Sequence, residues 1–209
     1  RLLYWASPQI LQLFETGSSF QDDIGVVKPG LLTGDDFRFT ALWFEISPVD
    51  RYRRWFTFAK GGDYERYYAD LHFTIDWMNE GETVKAYAQD RVGSTSKWIF
   101  NEDYYFVPGI TFPNSSALGF SARCLPKNSI ISVKGQGIFP KRSLDRFALA
   151  LLNTWLVHSL LQLFNPGKDV QAGDVKILPF GEPVEYDKDQ LNEILLRLLR
   201  NRLKSHSVA

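Results

Sequence analysis

Apolar and polar positions change rhythm several times along this chain, and each change marks a change of element. Ser7-Pro8 followed by Ile10, Leu11 and Phe14 has helical spacing, with a serine to cap it, a proline in its first turn and Gly17 to stop it. From Phe39 to Lys60 the chain reads "FTALWFEISPVDRYRRWFTFAK", two aromatic and β-branched runs separated by Ser47-Pro48, which predicts paired strands. Asp63 to Tyr68, "DYERYY", reads as one helical turn after Gly61-Gly62, His72 stands at a strand start, and Glu80 to Arg91 reads as a longer helix. Between Trp98 and Phe139, short β-prone pieces are punctuated by Pro108-Gly109, Pro113-Asn114, Pro126-Lys127-Asn128 and Gly135-Gln136-Gly137, the pattern of several short strands with tight connections. Leu144, Phe147, Ala148, Leu151, Leu152 and Trp155 restore helical spacing, which Asn165-Pro166-Gly167 ends. A last strand is expected at "DVKILPF", residues 174–180. Beyond it Leu191, Ile194, Leu195, Leu198, Leu199 and Leu203 form an apolar helical stripe, with Arg197, Arg200, Arg202 and Lys204 on the opposite face.

With no internal repeat and no low-complexity linker, this order predicts a single mixed α+β domain with a strand-rich centre and flanking helices. Residues 1–23 form a helical lead-in, 24–180 the central domain and 181–209 a C-terminal amphipathic helix.

Composition sharpens this picture. A chain of 209 residues that is 44% hydrophobic, with six Trp and sixteen Phe, has the means to build a sizeable core. A formal net charge of zero removes the strongest electrostatic argument for nucleic acid, although a balanced total still accommodates a local basic face. Cys124 stands alone, which excludes an intramolecular disulfide framework and a thiolate-rich metal site and fits a cytoplasmic location. The longest apolar segment, Phe147 to Phe164, is interrupted by Asn153, Thr154, His158, Ser159 and Gln162, so it reads as a buried helix and not as a membrane span. No signal peptide is visible, and a chain that opens on Arg1 with Met78 as its one methionine reads as a fragment of something longer or a processed product.

Few residues carry chemistry of their own. There is no G-x-S-x-G, and His72, His158 and His206 have no evident catalytic partners; for His158 on its apolar helix, a satisfied core histidine is the favoured reading. Asp22-Asp23 and Asp35-Asp36 are adjacent carboxylates that point in different directions and lack a third ligand at metal spacing, which leaves them turn and cap roles and no metal site. "GLLTGDDFRF", Gly30 to Phe39, has its glycines four apart and no Gly-Lys-Ser/Thr, so it is not a nucleotide loop. It reads as a domain entrance, in which Gly34 releases the backbone, Asp35 caps a short turn, and Phe37 and Phe39 lead into the first strands. Gly135-Gln136-Gly137 favours a hairpin or bulge over a ligand loop.

"KGGDYERYY", Lys60 to Tyr68, is more suggestive. Gly61-Gly62 exposes successive backbone N–H groups, and Lys60 and Arg66 add charge and fork-shaped donors, a workable cradle for a phosphodiester. Against this, Gly-Gly is equally an ordinary turn and Asp63 and Glu65 offset the cations, so on spacing alone the two readings stand level.

Several stretches in order resemble a known family. "RWFTFAKGGDYERYY", "DWMNEGETVK", "NEDYYFVPGITF", "SSALGFSARCLPKNSIISVKGQGIFP" and "LLNTWLVHSLLQLFNPGKDVQAGDVKILPF" look like the C-terminal target-recognition part of large DNA adenine methyltransferases, of the PglX type in BREX phage-defence systems, with kinship to single-chain restriction–modification enzymes. "GLLTGDDFRF" fits the segment by which that family enters its recognition domain, and the resemblance covers roughly Ile24 to Phe180. The resemblance implies a target-recognition fold that selects a double-stranded DNA sequence. It implies no catalysis by this piece, because the Asn-Pro-Pro-aromatic motif that holds a flipped adenine in such enzymes has only Asn165-Pro166-Gly167-Lys168 as a counterpart here. S-adenosylmethionine then belongs to the missing catalytic domain, and this fragment has no cofactor. The implied partners are double-stranded DNA, that missing domain and other defence-system subunits, with no membrane.

Under that resemblance Lys60, Gly61, Gly62, Arg66 and Thr33 would hold phosphate, and Thr111, Asn114, Ser115, Ser116, Arg123, Lys134 and Gln136 would sit on loops that reach bases. An alternative reading is a protein–protein interaction module for a partner subunit or a phage inhibitor, which suits the neutral charge, the aromatic wealth and the amphipathic last helix.

Overall fold

The computed structural model describes residues 6–141, 144–181, 183 and 188–206, without the side chains of 164, 188, 199 and 201–206. It opens with α1 (Pro8–Thr16), capped by the Ser7 hydroxyl, which accepts from the Ile10 N–H, and stopped at Gly17, whose N–H returns to the Leu13 carbonyl. There follow α2 (Phe20–Asp23), β1 (Gly25–Lys28), α3 (Asp36–Phe39), β2 (Thr40–Leu42), β3 (Trp55–Ala59), β4 (Phe73–Asp76) and α4 (Glu82–Val92). The second half holds β5 (Gly109–Pro113), β6 (Arg123–Leu125), β7 (Ser129–Ile131), β8 (Gly135–Pro140), α5 (Asp145–Leu152), α6 (Trp155–Phe164), α7 (Ala172–Lys176) and α8 (Lys188–His206). The architecture is mixed α+β with a strand-rich centre between helices, as the residue pattern predicts.

The strands form two four-stranded sheets, in the orders β1-β8-β5-β6 and β2-β4-β3-β7. All pairings are antiparallel except that of β3 with β7. Alternation along β8 shows how the layers stack: Ile138 enters a core with Phe20, Ile24, Phe112, Leu152, Leu161 and Val175, while Phe139 enters a second core with Phe58, Ile75, Trp77, Ile130 and Ile131. The first sheet is therefore a middle layer, with helices on one face and the second sheet on the other. Ser132 N–H donates to the Gly135 carbonyl in the turn where the chain leaves β7 in one sheet and enters β8 in the other.

Four local expectations are corrected. The runs flanking Ser47-Pro48 are strands β2 and β3, but they do not pair with each other; β4 inserts between them and bonds to both. "DYERYY" is not helical: Tyr67 N–H donates to the Ala122 carbonyl and Cys124 N–H to the Tyr67 carbonyl, so the segment runs beside β6, with Tyr67 at φ 71°. "DVKILPF" is no strand, because the Asp174 carboxylate accepts from the Gln171 N–H and opens α7, which buries Ala172 and Val175. The apolar stretch from Leu144 is two helices, not one. Asn153, 5% exposed, accepts from the Ala122 N–H and donates to the Ala122 and Leu149 carbonyls, and Thr154 then caps α6 by accepting from the Val157 N–H. No helix among the described residues is long and apolar enough to cross a membrane.

Along the last helix Leu195 is buried and Arg197 and Arg200 are exposed; the side chains of Leu199, Arg202, Leu203 and Lys204 lie outside those described.

Candidate nucleic-acid interface

The segment Gly30 to Phe39 is held against the end of β7. Leu31 N–H donates to the Ile131 carbonyl and Val133 N–H to the Leu31 carbonyl. A Cβ on Gly30 would lie 2.0 Å from the Ile131 oxygen, so only glycine permits this approach. Gly34 sits at φ 68° against the Trp98 ring, and the Asp35 carboxylate caps α3 by accepting from the Arg38 N–H. Phe39 enters the core as expected, whereas Phe37 is fully exposed.

This geometry places Thr33 and Asp36 beside Lys60. The Thr33 hydroxyl donates to Asp36 Oδ1, and Lys60 Nζ lies 2.6 Å from Asp36 Oδ2 and 5.0 Å from the centroid of the Phe73 ring. Burial pushes the Asp36 carboxyl up, but the hydrogen bonds from Lys60 and Thr33 and the charges of Lys60 and Lys134 outweigh it and hold the group below its ordinary value. Lys134 reaches the same small cavity, of about 140 Å³, from the turn between the two sheets. The buried Ser132 hydroxyl braces that turn: it donates to the Ala59 carbonyl and accepts from the Lys134 and Gly135 N–H groups. Two lysines and one carboxylate therefore line this small cavity, while Asp63, Glu65 and Asp70 line the neighbouring one with Lys60 and the buried Arg123.

The Gly-Gly step lies next to it. Gly61 and Gly62 adopt φ 93° and 117°, a region that disfavours a side chain, and a Cβ on Gly61 would lie 2.9 Å from the Lys134 oxygen. Among the described residues neither the Gly61 nor the Gly62 N–H has a hydrogen-bond acceptor. Arg123 holds the loop from beneath. It is 2% exposed; its guanidinium donates to the Gly61 carbonyl and, at 3.1 Å, to the Asp63 carbonyl. Burial pushes that guanidinium down from its ordinary value, against the charges of Glu65 and Asp63.

The remaining predicted site residues divide by burial. Ser115 is exposed and Asn114 and Ser116 are half-buried on a loop that joins the rim, since Asn114 N–H donates to the Lys134 carbonyl. That loop also pairs with the segment after Asn165: Ser116 N–H donates to the Lys168 carbonyl, and Ser115 bridges Asp169. Arg66 lies outside the lining of the Lys60–Lys134 cavity, its guanidinium over the Tyr64 ring at 5.3 Å. Thr111, Arg123 and Gln136, expected to reach bases, are interior instead, at 0%, 2% and 1% exposure. Gln136 donates to the Val133 carbonyl and to Gln171 Oε1, a brace between β8 and the entrance to α7. Thr111, Arg123 and Gln136 lie on β5, β6 and β8 of the first sheet, which is covered on both faces, whereas the composition around Pro113 and Gly135 reads as loop.

Two rim residues escaped the sequence. By its sequence Asp36 is only a turn or cap residue, since nothing local announces its ion pair with a lysine beyond β3. Lys168, exposed beside the Ser115 loop, stands in a stretch whose sequence reads as a helix end and an incomplete counterpart of an adenine-binding motif.

This is a mixed α+β domain whose polar, lysine-bearing rim gathers loops from both sheets. No protein-family model matches the chain. The chain is homologous to part of certain adenine-specific methyltransferases. It is 28% identical over 93% of its length to the adenine-specific methyltransferase PglX of Lacticaseibacillus casei (strain Zhang), and 29% identical over 60% of its length to the adenine-specific methyltransferase BrxX of Escherichia coli O9:H4 (strain HS). It spans 17% and 10% of those relatives. The resemblance of the sequence stretches to part of an adenine methyltransferase of the PglX type is thus borne out.

Proposed function

We propose that this chain recognises double-stranded DNA, as the target-recognition part, centred on residues 24–180, of an adenine methyltransferase in a phage-defence or restriction–modification system. The observation that carries the reading is the rim itself: Lys60 and Lys134 line one cavity, and Gly61 and Gly62, whose N–H groups have no acceptor among the described residues, line the neighbouring one with Lys60, beside the polar Asn114–Ser116 loop. Lysines and free backbone amides neutralise and orient phosphates, which fixes a protein's register on a duplex. Ser115, Asn114 and Ser116 then stand where base edges would be read. Methyl transfer and S-adenosylmethionine belong to the rest of such an enzyme, and this part supplies the choice of sequence.

The test is duplex binding at several salt concentrations. Lys60→Ala and Lys134→Ala should each weaken binding alike on all sequences and reduce the slope of log affinity against log salt by about one. An unchanged slope in both variants would remove the phosphate role.

A second reading concerns the opposite side. Phe147, Leu151, Leu191 and Ile194 line a groove of about 390 Å³ between α5 and α8, with Trp155 77% exposed on the adjoining helix. We assign this apolar face to contact with the methyltransferase portion of the parent chain or with a partner subunit. Ile194→Asp should abolish such a complex without altering duplex affinity; a complex that survives the charge would refute the assignment.

A further inference from the structure

The cradle shares walls with a larger space. Phe58 and Lys60 line both the small rim cavity and a neighbouring one of about 330 Å³, and the segment Ala69–His72 is common to that cavity and a third of about 610 Å³. A volume of this order is in the range that accepts a small organic ligand. Its floor is the outer face of the second sheet, where Thr57 and Thr74 stand opposite each other across β3 and β4. Ser129 pairs with Thr57 on the next strand; it is fully buried, and its hydroxyl has no hydrogen-bond partner among the described residues. Three hydroxyl-bearing residues therefore run in a row across the strands where the opposite face of the same sheet is apolar.

The walls are aromatic. Trp43 is 49% and Tyr52 43% exposed, and Tyr68 forms a third wall. Tyr52 is held at φ 59° by a hydrogen bond from its N–H to the Trp55 carbonyl, with the Arg51 guanidinium 5.2 Å over its ring. The Tyr68 hydroxyl donates to the Asp70 carboxylate at 2.7 Å; that bond, with burial, pushes the hydroxyl up to about 12, so it stays a neutral donor. His72 adds a further polar edge. Exposed flat rings around hydroxyl, carboxylate and imidazole groups match one ligand chemistry well: a planar heterocycle that stacks on its faces and hydrogen-bonds along its rim.

We infer that this aromatic chamber receives a single unpaired nucleobase from a nucleic-acid strand whose phosphates lie on the Lys60-Gly61-Gly62 cradle. The inference rests on the DNA-binding reading above and adds a second, base-stacking site to it. Extruding a base from a duplex costs stacking and pairing energy, least where the base is already unpaired, so a duplex with one unpaired base is the substrate that reveals the chamber.

The experiment compares the 209-residue chain on two short duplexes, one perfect and one carrying a single unpaired 2-aminopurine. The bulged duplex should bind about tenfold more tightly, with a change in 2-aminopurine fluorescence on stacking. Trp43→Ala and Tyr52→Ala should erase that advantage and the fluorescence change while leaving the perfect duplex unaffected, and Lys60→Ala should weaken both duplexes equally. Equal affinity for the two duplexes, or an advantage that survives both aromatic substitutions, would overturn the inference and leave the DNA-binding reading standing. If neither duplex binds, that reading falls. A single-stranded 2-aminopurine oligonucleotide then decides the chamber: binding that depends on Trp43 retains it, and no binding ends it.

Discussion

The Arg123 guanidinium donates to the carbonyl oxygens of Gly61 and Asp63, one on each side of Gly62, and so fixes the loop from inside the protein. A charged side chain usually reaches outward from such a loop. This one is buried, and it holds the loop through two of its carbonyls. Arg123→Ala would strand two carbonyls and open a cavity, at a cost of about 3 kcal/mol, read as a fall in melting temperature of roughly 6–12 °C. Duplex affinity should fall by the same factor on every sequence. A change in which sequence is preferred would instead mean that Arg123 contacts bases.

Gly61→Ala and Gly62→Ala place a Cβ at φ 93° and 117°. Each should cost about 1–3 kcal/mol in stability. Gly61→Ala should be the more damaging to DNA binding, because its new methyl would meet the Lys134 carbonyl while that at Gly62 faces the end of the Arg123 side chain. Urea unfolding and a binding titration on the same samples separate the two effects.

Asp36→Asn removes the carboxylate that occupies Lys60. Non-specific duplex affinity should rise several-fold and its salt dependence steepen, since Lys60 and Lys134 then share their cavity with no carboxylate. The same variant tests linkage. The folded-state pKa of Asp36 is held below 3.8, so the stability it contributes is present above that pH and is lost as pH falls through the folded value. The wild-type protein should therefore lose its advantage over Asp36→Asn in acid unfolding curves only below about pH 3.8. An advantage independent of pH across that range would deny the ion pair its role.

Asn153→Ala should leave the Ala122 N–H and carbonyl without their side-chain partner in a buried place, at a cost of about 3 kcal/mol. The loss should appear in thermal unfolding with DNA binding per folded molecule unchanged, because Asn153 pins α5 and α6 to β6 on the helical side of the first sheet.

Much of the fold is local, and local physics is legible in residue order. The Ser7-Pro8 start and Gly17 stop of α1, the extent of α4, the short strands after Trp98 and the end of α6 at Asn165 each depend on groups within a few residues of one another. Two of the segments that depart from the sequence expectation do so because a distant partner overrides the local choice. "DYERYY" gives up helical bonding for an edge of β6, and the runs beside Ser47-Pro48 pair with β4 in place of each other.

The same division runs through the rim. Residue types and spacing by themselves marked Lys60-Gly61-Gly62 as a phosphate cradle or a plain turn, and "GLLTGDDFRF" as an entrance, because glycine freedom and capping act over a turn or less. Tertiary structure alone decided that Thr33, Asp36, Lys60 and Lys134 share one cavity, that Arg123 and Gln136 brace loops from within, and that Trp43 and Tyr52 wall a chamber above the second sheet. Charge and hydrogen-bonding groups act through space at a few ångströms, and it is the crossing of β7 into β8 between the two sheets that brings Lys134 to Lys60.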